Sequence, residues 1–443
     1  MFVQLLFLFS LLQPALAFGV GSWTTLHPEG DAPPSKVYHS AAAVGNNLYI
    51  TGGSAGSKGG NRTCYYNSFT NKWINQYDAM LPHDAQVADM TTSGGVLYLF
   101  GGKDTVHIDP SGSGIINSMH ILRTTVSNEN WQTVRPLHPP SERNGHSMVS
   151  VAGLLIIFGG WDETQYFDDV LGLDTTALVL PGLDARPLMW FKLTPASGAT
   201  PSARNSHTMV SVGHELLLFG GFSHDIAVGG AFTQCGKNDD CQYFDDLWSL
   251  RLPAKVDQGL DAIEWKQLSP TGDHKPLARW WHAASAVGDR MYIYGGLSAT
   301  GTVLSDVWSY SSSVNAWRVL AANPKGGSYG MSMSLIGGSL YVYGGFTEPR
   351  WEGQTNTLWR YDTPTVQSDD DGQSMIDVNT ADVEKTLATD LSGVTAGLVV
   401  SILFNVVILG VSVFMCWKGY IKNGGSGSGG GGGGGGASTY SEL

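Results

Sequence analysis

The sequence predicts an all-β fold of six repeated units closed into a ring, followed by a single membrane-crossing helix. Three observations predict it. Six stretches of β-branched or aromatic residues end in Gly-Gly. Tryptophan-led segments recur at the same place behind them. Near the C-terminus, residues 391–417 carry no charge at all.

The repeats come first. The six Gly-Gly stretches are Tyr49-Ile50-Thr51-Gly52-Gly53, Tyr98-Leu99-Phe100-Gly101-Gly102, Ile156-Ile157-Phe158-Gly159-Gly160, Leu217-Leu218-Phe219-Gly220-Gly221, Tyr292-Ile293-Tyr294-Gly295-Gly296 and Tyr341-Val342-Tyr343-Gly344-Gly345. A turn precedes each, as at Gly337-Gly338-Ser339, and an aromatic strand follows, as at Asp306-Val307-Trp308-Ser309-Tyr310. Trp73, Trp131, Trp190, Trp265 and Trp317 then open a further strand. A fixed period of this kind marks a repeat architecture. At a crowded strand end, glycine permits close approach and left-handed backbone.

This pattern resembles the kelch repeat, over roughly Trp23 to Tyr361. The resemblance implies a six-bladed β-propeller spanning residues 18–366. The sixth unit stops after Thr357-Leu358-Trp359-Arg360-Tyr361 without its Trp-led strand, while a spare one lies at Ser22-Trp23-Thr24-Thr25-Leu26. That N-terminal strand is expected to complete the last blade, since an open ring leaves unpaired edges.

The two ends are read separately. Residues 2–12 are nearly all apolar, and Ala15-Leu16-Ala17 gives the small-x-small pattern of a signal-peptidase site, so residues 1–17 read as a signal peptide. Leu391 to Trp417 is long enough to cross the ~30 Å hydrocarbon core. Lys418 and Lys422 follow it. Residues 367–390, an acidic stalk of seven acids and one lysine, precede it. The positive flank faces the cytosol, which makes the chain a single-pass type I membrane protein of the plasma membrane or endomembrane system. Gly393, Gly397, Ser401 and Asn405 share one helical face, an arrangement suited to a homodimer. Residues 418–443 form a glycine-rich cytosolic tail ending in Tyr440-Ser441-Glu442-Leu443. Tyr440 and Leu443 fit a sorting signal read by clathrin adaptors.

Composition excludes some classes. Charged residues are 14% of the chain, the net charge is −13, and no Lys/Arg-rich stripe exists, so nucleic acid is not an expected partner. Glycine reaches 58 and tryptophan 14, which suits β-structure with tight turns. Cys235 and Cys241 bracket a short acidic loop, and an oxidising compartment favours a disulfide between them. Asn61-Arg62-Thr63 is a glycosylation sequon.

The candidate binding residues rest on an offset. His39, His146, His207 and His282 each stand thirteen residues before the first glycine of their pair. Lys36, Arg143, Arg204 and Arg279 stand sixteen before it. Repeat two has Ala85 and Ala88 instead, and repeat six has Ser328 and Met331. A repeated position is ordinarily structural. The kelch resemblance, however, implies that basic residues at the start of the innermost strand face a ligand, with carboxylate or sulfate groups as the match for arginine forks. Asp168, Asp169, Asp245, Asp246 and Asp306 are the acids able to neutralise them. These aspartates read as turn residues rather than calcium ligands.

No metal set and no cofactor is expected, and no catalytic motif of the common hydrolase, phosphate-loop or zinc-protease kinds occurs. The favoured function is non-catalytic recognition of a protein or glycan through the propeller face. The alternative is a membrane-tethered copper oxidase resembling galactose oxidase, or another carbohydrate-active propeller. It would draw on Cys64 beside Tyr65 and Tyr66.

Overall fold

In the computed structural model the described residues are 21–54, 61–82, 85–104, 114–125, 130–176, 187–195, 198–224, 241–252, 263–272, 274–350, 352–364, 367–368 and 374–375. The signal segment, the span at 391–417 and the tail lie outside them. Among the described residues no helix is long and apolar enough to cross a membrane.

Among the described residues six four-stranded antiparallel sheets form the blades, with four short two-stranded sheets besides. Blade one runs outward through Val37–Val44, Asn47–Ser54, Arg62–Asn67 and Lys72–Met80. The inner strands of blades two to six are Asp89–Ser93, Ser147–Val151, Thr208–Val212, Ala283–Val287 and Ser332–Ile336. Each inner strand neighbours those of the two adjacent blades, and the sixth returns to the first. The ring closes as expected. Ser22–Leu26 pairs antiparallel with Leu358–Asp362, with Trp23 opposite Tyr361. The Trp23 indole lies 4.9 Å from the ring of Tyr294 in blade five and donates to the Ala321 carbonyl.

The second strands are continuous apolar runs because both faces of every blade are covered by neighbours. In Leu154–Phe158, alternate side chains point opposite ways. Ile156 and Phe158 pack against blade four, with Met209, Leu218 and Trp248. Leu155 and Ile157 pack against blade two, with Tyr98, Phe100 and Met119. Six apolar clusters of this kind fill the six joints. Each fully buried Leu, Ile or Phe contributes about 1.5–3 kcal/mol.

The Gly-Gly pairs lie where these joints are tightest. The Gly160 N–H donates to the Arg204 carbonyl of the next blade at 2.9 Å, and all six blades repeat that bond. Gly159 has φ +69°, and a Cβ there would stand 2.7 Å from the same carbonyl oxygen. An alanine would therefore be doubly penalised, by its backbone conformation and by collision.

Candidate functional site

The four repeated cations belong to the joints. Arg143, Arg204, Arg279 and Lys36 are at most 1% exposed. Each arginine reaches the carbonyl of the first glycine of its own blade, at Gly159, Gly220 and Gly295. Each also forks onto one carboxylate. Arg143 holds Asp169 at 2.7 and 3.0 Å. Arg204 holds Asp246 at 2.6 and 2.9 Å, and Arg279 holds Asp306 at 2.8 Å twice. Phe167 and Phe244 lie under the Arg143 and Arg204 guanidinium groups, at 4.1 and 3.8 Å. Lys36 donates to the Gly52 carbonyl, and in blade six the Ser328 hydroxyl plays that part towards Gly344. Burial works to raise the pKa of Asp246 and of Asp306. The bond and charge of the paired arginine, with an indole N–H from Trp248 or Trp308, hold both below the usual carboxylate value.

The expectation of a positively charged mouth is therefore corrected. The guanidinium groups are desolvated, and their donors are committed to carbonyls and carboxylates within the fold. Of the acids proposed as neutralisers, Asp169, Asp246 and Asp306 serve. Asp245 pairs instead with the exposed Lys275.

The histidines do line the central channel, yet they too are joint residues. His146, His207, His282 and His39 pack edge-on against Phe100, Phe158, Phe219 and Tyr343 of the preceding blade, at 5.4–5.6 Å. Three of them bond a hydroxyl on that blade through Nε2: His39 to Ser332, His207 to Ser147 and His282 to Thr208, each at 2.8 Å. Burial, then the nearby charge of Lys36 or Arg143, presses His39 and His146 down to about 3. His207 and His282 fall well below their usual value, mainly by burial. All four are neutral at any physiological pH.

The channel encloses a cavity of about 240 Å³ lined in each blade by four successive residues at the entry to the inner strand. Its outermost ring is Tyr38, Val87, Gly145, Ser206, Trp281 and Gly330. All six have positive φ, between 50° and 65°. Their backbones close a circle, in which each N–H donates to the carbonyl of the equivalent residue in the preceding blade, at 2.8–3.1 Å. Left-handed backbone turns the peptide groups tangential to the ring and makes that circle possible. For Tyr38, Val87 and Trp281 the conformation is costly, and such strain clusters at functional sites. Neighbours bonded this way stand roughly 5 Å apart. In a hexagon the radius equals the side, so the backbone stands roughly 5 Å from the axis. The opening takes a single side chain, not a helix of ~10 Å diameter.

Two aromatic rings flank one side of this mouth. Tyr38 lies across Gly330 and meets Trp281 with centroids 4.8 Å apart at 52°. Trp280 packs beside Trp281, and both Tyr38 and Trp281 rest on a buried cluster that includes Tyr329 and Phe346.

Two rings deeper, the sequence Ser40, Asp89, Ser147, Thr208, Ala283, Ser332 holds one acid. Asp89 is the single carboxylate among the residues lining the cavity, and no Lys or Arg lines it. Its oxygens accept from the Met90 N–H at 2.8 Å and from the Met148 N–H of blade three at 2.6 Å. Burial raises it to about 7 despite those bonds. Asp89 stands where the other blades give a histidine its hydroxyl. Its neighbour His146, 5% exposed, has neither ring nitrogen hydrogen-bonded.

Sequence reasoning missed Asp89 and the mouth ring. The signal for Asp89 was an acid at a position, twelve before the first glycine, held elsewhere by Ser, Thr or Ala. The ring shares no residue type, and only Gly145 and Gly330 hint at it.

Among the described residues no three His, Cys, Asp or Glu side chains are grouped to hold a metal. Cys64 is a buried free thiol that burial raises to about 12. The copper-oxidase alternative thus has no ligand set among these residues. Asn61 is half-buried, and its amide donates to the Leu81 carbonyl. Cys235, Tyr440 and Leu443 lie outside the described residues.

This architecture defines a closed six-bladed propeller with a narrow, strained mouth and uncharged walls around one acid. The KLHDC2/KLHL20/DRC7 Kelch-repeats domain matches residues 88–256 and 226–375, and the chain belongs to the kelch-repeat family. Human Kelch domain-containing protein 1 is 25% identical over 311 residues, 65% of this chain and 69% of that protein. Rat Kelch domain-containing protein 10 is 22% identical over 348 residues, 74% of this chain and 75% of that protein. Tip elongation aberrant protein 1 of Schizosaccharomyces pombe is 30% identical over 233 residues, 52% of this chain but 17% of its own length.

Proposed function

We propose that this chain is a non-catalytic recognition module that reads a protein or glycan ligand at the channel mouth. It is anchored by residues 391–417 at the plasma membrane or within endomembranes, with the propeller on the extracytosolic side. The mouth ring carries the reading. Six left-handed residues are held at one opening, and four of them bear side chains although glycine would relieve the strain. Six other described non-glycine residues, Asn71, His138, Ala152, Glu163, Asn315 and Arg350, also have positive φ, but each stands singly, whereas the mouth residues share one ring.

The same reading includes a Cys235–Cys241 disulfide, glycosylation at Asn61, homodimerisation through the Gly393 face of the span and adaptor binding at Tyr440 and Leu443. Membrane anchoring rests on the uncharged run and its flanking charges.

The test is proximity labelling on intact cells, with the full-length chain beside a Val87→Arg, Trp281→Ala variant. At equal surface levels, the variant is expected to lose the neighbours that the wild type labels. Identical neighbour sets would sink the mouth reading. A chain found only in the soluble fraction would sink the anchoring.

A further inference from the structure

We propose that the channel mouth takes up a single cationic side chain, arginine or lysine, presented by a peptide segment of the partner. This rests on the recognition reading above and names its chemistry. Four observations meet at one place.

The opening is wide enough for one extended side chain and too narrow for a helix, because its backbone ring is closed by six hydrogen bonds. The walls offer a cation no opposition. The buried arginines and Lys36 stand behind the bore, committed to their own carboxylates and carbonyls, and the four histidines are neutral. Asp89 is the one charged group on the lining, and its oxygens keep acceptor capacity beyond the two N–H groups they hold. His146 adds a buried neutral imidazole with no hydrogen-bond partner, one nitrogen of which is an acceptor. At the entrance, Tyr38 and Trp281 form an aromatic corner of the kind that attracts guanidinium and ammonium groups. The propeller body, with 22 Lys/Arg against 30 Asp/Glu over residues 22–366, favours the approach of such a group.

The site has a thermodynamic signature. Burial keeps Asp89 partly protonated near neutrality. A bound cation favours the carboxylate, so binding at pH 7 releases protons, and affinity rises with pH. The other groups near this part of the lining are His39 on blade one and His146 on blade three, both kept neutral by burial, and Tyr98 on the adjoining strand of its own blade, whose pKa burial raises. Arg143 on blade three is committed to Asp169.

Asp89→Ser gives the decisive variant. Serine is what blades one, three and six carry there, and it offers His146 the hydroxyl that Ser147 offers His207. The variant is expected to fold.

The experiment is titration calorimetry of the detergent-solubilised full-length chain with acetyl-Gly-X-Gly-amide, X being Arg, Lys, Gln or Glu. The Arg and Lys peptides are expected to saturate one site with proton release at pH 7, while Gln and Glu do not bind. Asp89→Ser should weaken the Arg peptide at least tenfold, and Trp281→Leu should weaken it severalfold. Equal binding of Arg and Gln peptides, no binding of any, or an unchanged affinity in Asp89→Ser would overturn the proposal. If the peptides fail while the Val87→Arg, Trp281→Ala variant still loses its neighbours, recognition at the mouth stands and only the cationic ligand is wrong.

Discussion

Arg204 and Asp246 are bound by two parallel hydrogen bonds of 2.6 and 2.9 Å, with the guanidinium fully buried and lying over Phe244. The pair ties the start of an inner strand to the loop that enters the third strand of the same blade. The Arg204 carbonyl meanwhile receives Gly160 of the blade before. One residue thus fixes both the inside of a blade and its joint to the next. Arg204→Ala leaves the Gly220 carbonyl without that donor and the Asp246 carboxylate without its counter-charge, holding only the Trp248 indole N–H, and about 3–5 kcal/mol of stability should be lost. Arg204→Lys should not restore it, because lysine lacks the fork. Arg251→Ala, which breaks an exposed pair with Glu215, should leave melting unaltered. Thermal unfolding of the three variants checks this.

Removal of Ser22–Leu26 should destabilise the whole propeller. The strand supplies the outer edge of blade six and lays Trp23 against Tyr294 of blade five. The truncated chain is expected to melt at lower temperature in one broadened transition. A separate early transition with the main one unmoved would contradict this.

Acid should weaken the fold through the histidines. His39, His146, His207 and His282 have folded pKa values depressed by burial, so the unfolded chain binds more protons below about 6.5. Stability is fully present above that value and falls as pH drops through it. At pH 5, calorimetric unfolding in buffers of different ionisation heat should show net proton uptake. His207→Gln should reduce it.

Asp89 should act in the opposite direction. Its folded pKa is raised to about 7 by burial, so the folded chain binds the extra proton between about 4 and 7. Its contribution to stability therefore worsens as pH rises across that window. Asp89→Ser should be more stable than wild type by roughly 2–4 kcal/mol at pH 8, with the difference shrinking towards pH 5. A constant difference would show that the carboxylate is not desolvated.

The blades were legible because their signal is periodic. Gly-Gly, the aromatic before it and the later tryptophan recur at fixed offsets, and the missing sixth tryptophan strand pointed to Trp23. The cation offset was legible too, but its meaning was not. Whether Arg143 meets a ligand or Asp169 depends on the length and path of the loop from Gly160 to Asp169, and no local pattern encodes that path. The mouth ring was hidden for another reason. Left-handed backbone is imposed there by hydrogen bonds between blades, so tertiary structure overrides the preferences of Val87 and Trp281.

The most direct measurement places a photo-crosslinking amino acid at Val87, on the mouth, or at Phe69, an exposed turn residue between the third and fourth strands of blade one. That turn lies at the opposite end of the blade, because the strands are antiparallel. Illumination of cells expressing the full-length chain should give discrete adducts from Val87, reduced by an excess of the arginine tripeptide, and none from Phe69. Adducts from Phe69 with a silent Val87 would contradict recognition at the channel mouth.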